Sequence, residues 1–490
     1  MQSNEQLLKE IDQLKAENRL LAQKVQFLLQ KLFGAKSEKL HPDQMALAFG
    51  TEAVVPGTPE APLESEEVCA PRKPVKRKPF VQKLPENLPV VETVIEPEAV
   101  KASPEAYKRI GEEVLEELDL TPATFFIHRI IRPKYALIEN RMLPPVVAPA
   151  PARIIPNSFA SAGLIHAILL GKYCDHLPLY RQEQIFKSRY GIDLSRKTMS
   201  DWMSAVAQQL AMIYEALRAE LRAQSYLQID ETVIRYLDPG NEQCGQGYLW
   251  VYLAPKRGVL FEWHTSRSNK CLEKMLTGFS GIVQSDGYSA YGAFLKNHPK
   301  AAIELAACWA HVRRKFYEAR NESRFAAQMV EEIKTLYRIE TEWEETPELD
   351  RRAVRQEKSV PVLQRIELQL RSAQPQHLPK SLTRTAIDYT LELWSRLMVY
   401  TNHAEMEIDN NLVENAIRPT AVGKKNWLFF GSAEAGQTSA ILYSLLETCR
   451  KLEINPDDYL RDILTRLPGM TNQTARNYIP SKWKAARQTP

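Results

Sequence analysis

The chain has 490 residues, 44% hydrophobic and 25% charged, with 64 Lys and Arg against 60 Asp and Glu. That length suits about three to five domains, and that balance excludes collagen-like, wholly disordered and small disulfide-stapled proteins. The net charge of +4 is too small to argue for a nucleic-acid partner, but it is unevenly spread: residues 1–70 hold 7 Lys and Arg against 11 Asp and Glu, a net of −4, which leaves +8 for residues 71–490.

No apolar run approaches the roughly 18 residues needed to cross a bilayer, and Met1–Glu10 is too polar for a secretory signal, so no membrane partner and a cytoplasmic location are expected. Cys69, Cys174, Cys244, Cys271, Cys308 and Cys449 are scattered without a CxxC pair. They read as reduced thiols, and zinc is not expected.

Leu7, Leu14, Leu21 and Leu28 recur every seven residues, interleaved with Ile11, Asn18, Val25 and Leu32. This seam predicts a coiled coil within residues 1–40 and at least a homodimer through residues 5–33, with Asn18 fixing the register. A single amphipathic helix packed on its own domain is the alternative. Residues 41–104 read as a Pro-rich linker carrying the basic strap Arg72, Lys73, Lys76, Arg77 and Lys78. The prolines exclude a regular helix, so the strap is either an extended DNA contact along phosphates or a solvated linker.

Residues 105–157 look like a small β-module, with Phe125–Arg132 as its best strand. Residues 158–223 read as helical: Ala160–Lys172, Pro178–Tyr190 with Gly191 as a stop, and a helix from Arg196 towards Leu221 capped by Ser195. Arg196 and Lys197 lie just after the Gly-containing turn, which fits a helix-turn-helix DNA reader or an ordinary helical hairpin.

Beyond residue 224 the period changes. Ser225–Asp230 reads as a short strand ending in a carboxylate, followed by strands Tyr248–Leu253 and Val259–Trp263. A helix around Lys270–Thr277 comes next, then the strand Gly281–Gln284 leading into Ser285-Asp286-Gly287. Three strands, a helix and a fourth strand, with Asp230 and Asp286 at the ends of the first and fourth, is the order of an α/β ribonuclease H-like (retroviral integrase-like) core.

Such a pair suits phosphodiester chemistry. Two divalent ions about 3.5–4 Å apart activate the attacking oxygen and stabilise the leaving one, and Mg²⁺ or Mn²⁺ takes carboxylate ligands without His or Cys. The core's first part would span 224–312, a helical insertion 313–404 and its second part 405–448, with a basic helical tail at 449–490. A third acid is expected on a helix after the insertion. Glu414 is one choice, with Asp409 or Asn410 as cap and Arg418 one turn on, but Glu405, Glu407 and Asp409 are rivals by spacing.

The stretches "IDET", "VQSDGY", "ACWAHVRRKF", "DNNLVENAIRP" and "GKKNWLFFGS", with "LLQKLFGAKSEKL", "RPKYA", "KYCDHLPLYRQEQIF" and "LLETCRKLEINPDDYLRDILTRLP", together resemble the large transposase of the insertion sequence 66 group of bacterial mobile elements. The resemblance implies a DDE-type transposase in which Asp230, Asp286 and Glu414 are the catalytic, metal-binding acids holding two Mg²⁺ or Mn²⁺ ions. It implies DNA partners (element ends and target), companion proteins of the element and a nucleoid-associated location. The family's N-terminal module usually carries two cysteine pairs resembling a zinc finger. Here residues 102–107 and 134–140 contain none, so zinc is not carried over.

Further DNA contacts are expected at His311, Arg313, Arg314 and Lys315, after Cys308 in a C-x-x-H arrangement found in several transposase groups, and at Arg418. Lys424, Lys425 and Trp427 suit a distorted DNA end with a base on the indole, although the run Trp427–Gly431 also reads as core. Residues 431–436 lack the Lys-Ser/Thr of a phosphate loop. A nuclease without strand transfer and a silent DNA-binding regulator remain alternatives to the transposase.

Overall fold

A computed structural model describes residues 123–135, 146–238 and 244–488. The expected coil, the strap with Arg72, Lys73, Lys76, Arg77 and Lys78, and most of the small module lie outside the described residues. Residues up to 131 in the described set belong to one unit and those from Arg132 to a second, larger one.

In the first unit, residues 123–131 form no ladder, which corrects the expected strand Phe125–Arg132. Apolar content alone does not make a strand, which takes a ladder of N–H and C=O bonds to a neighbouring strand. Phe126 and Ile127 are 84% and 90% exposed. In the second unit the described residues of the module form a two-residue antiparallel ladder, Lys134–Tyr135 with Val146–Val147.

Three helices follow: α1 (Ala162–Tyr173), α2 (Leu179–Tyr190) and α3 (Arg196–Arg222). Ser161 caps α1 by accepting from the Leu164 N–H, and Ser195 caps α3 by accepting from Thr198 N–H. Gly191 ends α2 at φ +66°, a left-handed conformation that glycine adopts without a Cβ penalty. Helix α3 has 27 residues and buries Met199, Val206, Leu210, Ile213, Leu217 and Leu221 along one face, so it is a core helix of this unit.

The central sheet is built from β1 (Tyr226–Tyr236), β2 (Gly245–Ala254), β3 (Gly258–His264), β4 (Gly281–Ser285) and β5 (Ile303–Ala307), in the order β3-β2-β1-β4-β5. The first three are antiparallel neighbours, whereas β4 runs parallel to β1 and β5 parallel to β4. Strand β1 does not stop at Asp230: pairing with β2 carries it on to Tyr236. The helix α4 (Ser289–Asn297) joins β4 to β5.

After β5 come α5 (Trp309–Ala319), α6 (Arg324–Glu344) and α7. The last is a continuous run of Arg351–Val354, the π-turn Arg355–Ser359 and Val360–Ala373. Then follow α8 (Leu382–Glu392), α9 (Asn411–Trp427), the short strand β6 (Phe429–Phe430) beside the end of β1, and α10 (Ala433–Lys451). Helix α9 is longer than the short helix expected, and it contains Pro419.

Alternation along the strands gives the sheet two cores. Leu227, Ile229 and Val283 pack with α3 and α10, whereas Tyr226, Ile282, Ala306 and Ala307 pack with α5 to α8. The β3 edge is covered rather than open: Val259 N–H and C=O both bond the Thr448 hydroxyl, and Phe261 N–H bonds Ser444 Oγ, both from α10. Trp263 closes that corner. A Cβ on Gly436 would lie 2.2 Å from its ring, so this glycine of residues 431–436 serves close packing.

Candidate active site

Parallel pairing sets Gln228 opposite Gln284. Asp230 and Asp286 each follow two residues later, Asp286 one residue past the end of β4, and they are near enough for the charge of Asp286 to act on Asp230. Each is fixed by its own backbone neighbours. Asp230 Oδ1 accepts from Glu231 N–H at 2.8 Å, and Asp286 Oδ1 accepts from Tyr288 N–H at 2.8 Å. The Asp286 carbonyl also accepts from the Tyr389 hydroxyl at 2.6 Å, a contact from α8.

The same two glutamines anchor the segment leading to Glu414. Gln228 Nε2 donates to the Asp409 carbonyl at 2.8 Å, its Oε1 accepts from Val413 N–H at 3.1 Å, and Gln284 Nε2 donates to the Glu407 carbonyl at 3.0 Å. The Tyr226 hydroxyl ties both glutamines together and accepts from Glu407 N–H. Just after β5, the Cys308 thiol accepts from Asn410 N–H. That thiol is buried, which pushes its pKa well up, so its task here is anchoring rather than nucleophilic attack.

Burial raises the pKa of Asp230 well above the usual carboxylate range, and Glu231, Glu414 and Asp286 raise it further. The pKa of Glu231 is raised too, by burial, despite its ion pair with Arg267. The Arg267 guanidinium stacks 3.9 Å over the Tyr288 ring. Glu414 faces His311 at 3.7 Å and Arg314 at 3.5 Å, both longer than good hydrogen bonds, and its Oε1 has no hydrogen-bond partner. Burial lowers the pKa of His311, against the pull of Glu414.

Asp230, Asp286 and Glu414 are hard oxygen donors of the kind a divalent cation takes, with Arg314 and His311 set against Glu414. Among the described residues, no group of three or more His, Cys, Asp or Glu side chains stands close enough together to hold a metal ion.

A family model described as "Transposase IS66 family" matches residues 157–438, which include all three acids. The chain belongs to that family. A second model, described as "Transposase C of IS166 homeodomain", matches residues 20–93, outside the described set. Among proteins of Sinorhizobium fredii, the uncharacterized protein y4jD is 33% identical, covering 98% of each chain. The uncharacterized protein y4qI is 34% identical over 89% of this chain and 83% of its own. Family membership gives the protein a role in transposition and therefore on DNA. No described helix is long and apolar enough to cross a membrane.

The other expected contact residues make separate contacts of their own. Lys315 lies 4.5 Å over the Tyr389 ring, whereas Arg313 turns to Tyr337 at 5.7 Å. Arg196 and Lys197 are exposed in the first turn of α3. Arg418 bonds Asn415 in its own helix and is not the ion-pair partner of Glu414. Lys424 Nζ donates to the Val233 carbonyl, and Lys425 is exposed. Trp427 stacks on Phe430 at 4.8 Å and 15°, so at least one indole face is committed to packing.

Gln228, Gln284, Tyr226, Tyr389 and the Glu231–Arg267 pair were not singled out from sequence. A signal existed for the glutamines: each interrupts an apolar strand two residues before an aspartate, in "YLQID" and "IVQSD". A polar side chain inside such a strand needs buried partners.

Proposed function

We propose that the protein is a DDE-type transposase with a ribonuclease H-like core that cuts DNA at the ends of its element and joins the freed ends to target DNA. The parallel register of β1 and β4 carries the proposal, because it pairs Gln228 with Gln284, each two residues before an aspartate, and Gln228 in turn holds the segment that leads into the Glu414 helix. The strand order β3-β2-β1-β4-β5 and the interruption by α6 to α8 are what such a core with a helical insertion requires.

Two Mg²⁺ or Mn²⁺ ions held by Asp230, Asp286 and Glu414 would activate water and then the released 3′-hydroxyl, and stabilise the leaving oxygen. Both steps are one in-line substitution at phosphorus, so no covalent protein nucleophile is needed. Arg314 and His311, now facing Glu414, are placed to turn towards a phosphate that enters beside it. Arg196, Lys197, Arg313, Lys315, Arg418, Lys424, Lys425 and Trp427 would line the DNA path around this centre. The homeodomain-type match over residues 20–93 supports a DNA-facing role for the strap Arg72–Lys78.

Asp286→Asn tests the centre. It should abolish Mg²⁺-dependent cleavage and joining of labelled element ends while end binding persists. Cleavage at the wild-type rate in that variant would remove Asp286 from the site, and cleavage by the wild type without joined products would make the protein a nuclease.

A further inference from the structure

The helical insertion carries two buried arginines that the chemistry above does not use. Arg355, 1% exposed, opens the π-turn of α7. A guanidinium has five N–H donors, and here they make five bonds. Two go to the Glu340 carboxylate of α6 at 2.8 and 2.7 Å. Three go to the carbonyls of Tyr400 at 2.8 Å, His403 at 2.7 Å and Met406 at 2.8 Å. Arg351, one helical turn earlier, also bonds Glu340 and reaches the Ala404 carbonyl and the Glu407 carboxylate, the latter at 2.8 Å.

Two arginines on one acid would be costly to bury for stability alone. What distinguishes this pair is where the remaining donors point. They hold the main chain of 400–407, and the Glu407 peptide is gripped from the other side by Tyr226 and Gln284 of the sheet. The bonded path runs from Glu340 through the arginines to Glu407, then through Gln284 and Gln228 to Asp409 and Val413, one residue before Glu414. π-Turns recur where a helix must re-aim side chains at a functional task, and this one begins at Arg355.

We infer that Arg351 and Arg355 are positioning residues through which the helical insertion sets the place of Glu414 relative to Asp230 and Asp286, and so the site's affinity for divalent metal. The inference rests on the proposed assignment of Glu414 as the third ligand. Lysine cannot replace the fork, since one ammonium cannot reach a carboxylate and three carbonyls at once.

In the full-length protein, Arg351→Lys and Arg355→Lys keep the charge and remove the fork. Without DNA or metal, hydrogen exchange at residues 407–414 should rise about tenfold or more, while amides around Ile333 in α6 change by less than about twofold. The Mn²⁺ concentration for half-saturation, followed by the free-ion resonance signal, should rise about tenfold, as when outer-shell partners of metal ligands are removed. Unchanged exchange at 407–414, or unchanged Mn²⁺ half-saturation, overturns the inference. Glu407→Gln, on a half-buried side chain, removes one of the two ionic partners of Arg351 and carries the same expectations should an arginine variant fail to fold. Asp230→Asn, run alongside, separates the two readings. If Mn²⁺ binding survives in it, the assigned acids are wrong, and exchange at 407–414 still decides whether the arginines brace that segment.

Discussion

Gly287, between Asp286 and Tyr288, shows how little freedom the candidate site leaves to single residues. Its φ is +90°, and a Cβ there would lie 2.6 Å from Leu393 Cδ1. The tip of a leucine can shift, but the backbone angle cannot be relieved, so the angle decides the effect of substitution. Gly287→Ala should cost roughly 1–3 kcal/mol of stability. It should also slow cleavage more than it weakens end binding, because the turn that fixes Asp286 through Tyr288 N–H would distort. Thermal unfolding and single-turnover cleavage on one preparation check both parts, and wild-type cleavage in a destabilised protein would confine the glycine's role to folding. At this scale the sequence showed the two aspartates, since a carboxylate after an apolar run is visible in one dimension. It left Glu414 among its neighbours without the family resemblance, and how that segment is held was not legible, because Val413 bonds Gln228, 185 residues earlier.

Among elements, what partners a segment mattered more than its own composition. The boundaries of α1, α2 and α3 fall within about two residues of those expected, because caps and stops act locally through Ser161, Gly191 and Ser195. Strand β1 outran its expectation because β2 pairs with it as far as Tyr236, whereas Phe125–Arg132 forms no ladder. Helix α10 covers the β3 edge with Ser444 and Thr448 and carries, between them, the buried Glu447. Burial raises the pKa of Glu447 to about 7, although Arg450 bonds it at 2.6 Å. A carboxyl whose folded pKa exceeds its unfolded one stabilises the fold fully below the unfolded value and loses that contribution as pH rises through the folded one. From Glu447 alone, stability should therefore fall by about 2 kcal/mol between pH 5 and pH 8. Glu447→Gln should flatten that part of the profile in chemical denaturation at both pH values. An equally steep fall in the variant would show that another group carries it.

Over the whole molecule, the insertion's task was the least legible part. Arg351 and Arg355 sit in "RRAVRQEK", which reads as a solvated charged face, and only the fold reveals that Glu340, Glu407 and four carbonyls converge on them. The opposite holds for the N-terminal segment. It lies outside the described residues, yet its heptads and its net charge of −4 beside a body of +8 can be read directly. An acidic segment adds nothing to the attraction for phosphate, and its heptad spacing suits a proposed role in bringing copies of the chain together. Two bodies tethered by a coil hold two DNA ends at high effective concentration, which is what joining a pair of ends to one target demands. Deleting residues 5–33 should therefore convert the protein to a monomer in light scattering. Cleavage of a single labelled end should stay within about threefold of wild type, while products in which two ends are joined to one target should disappear, since avidity is lost without any change at the acids. A deletion variant that still dimerises, or a monomer that still joins paired ends, would place the pairing function elsewhere in the chain.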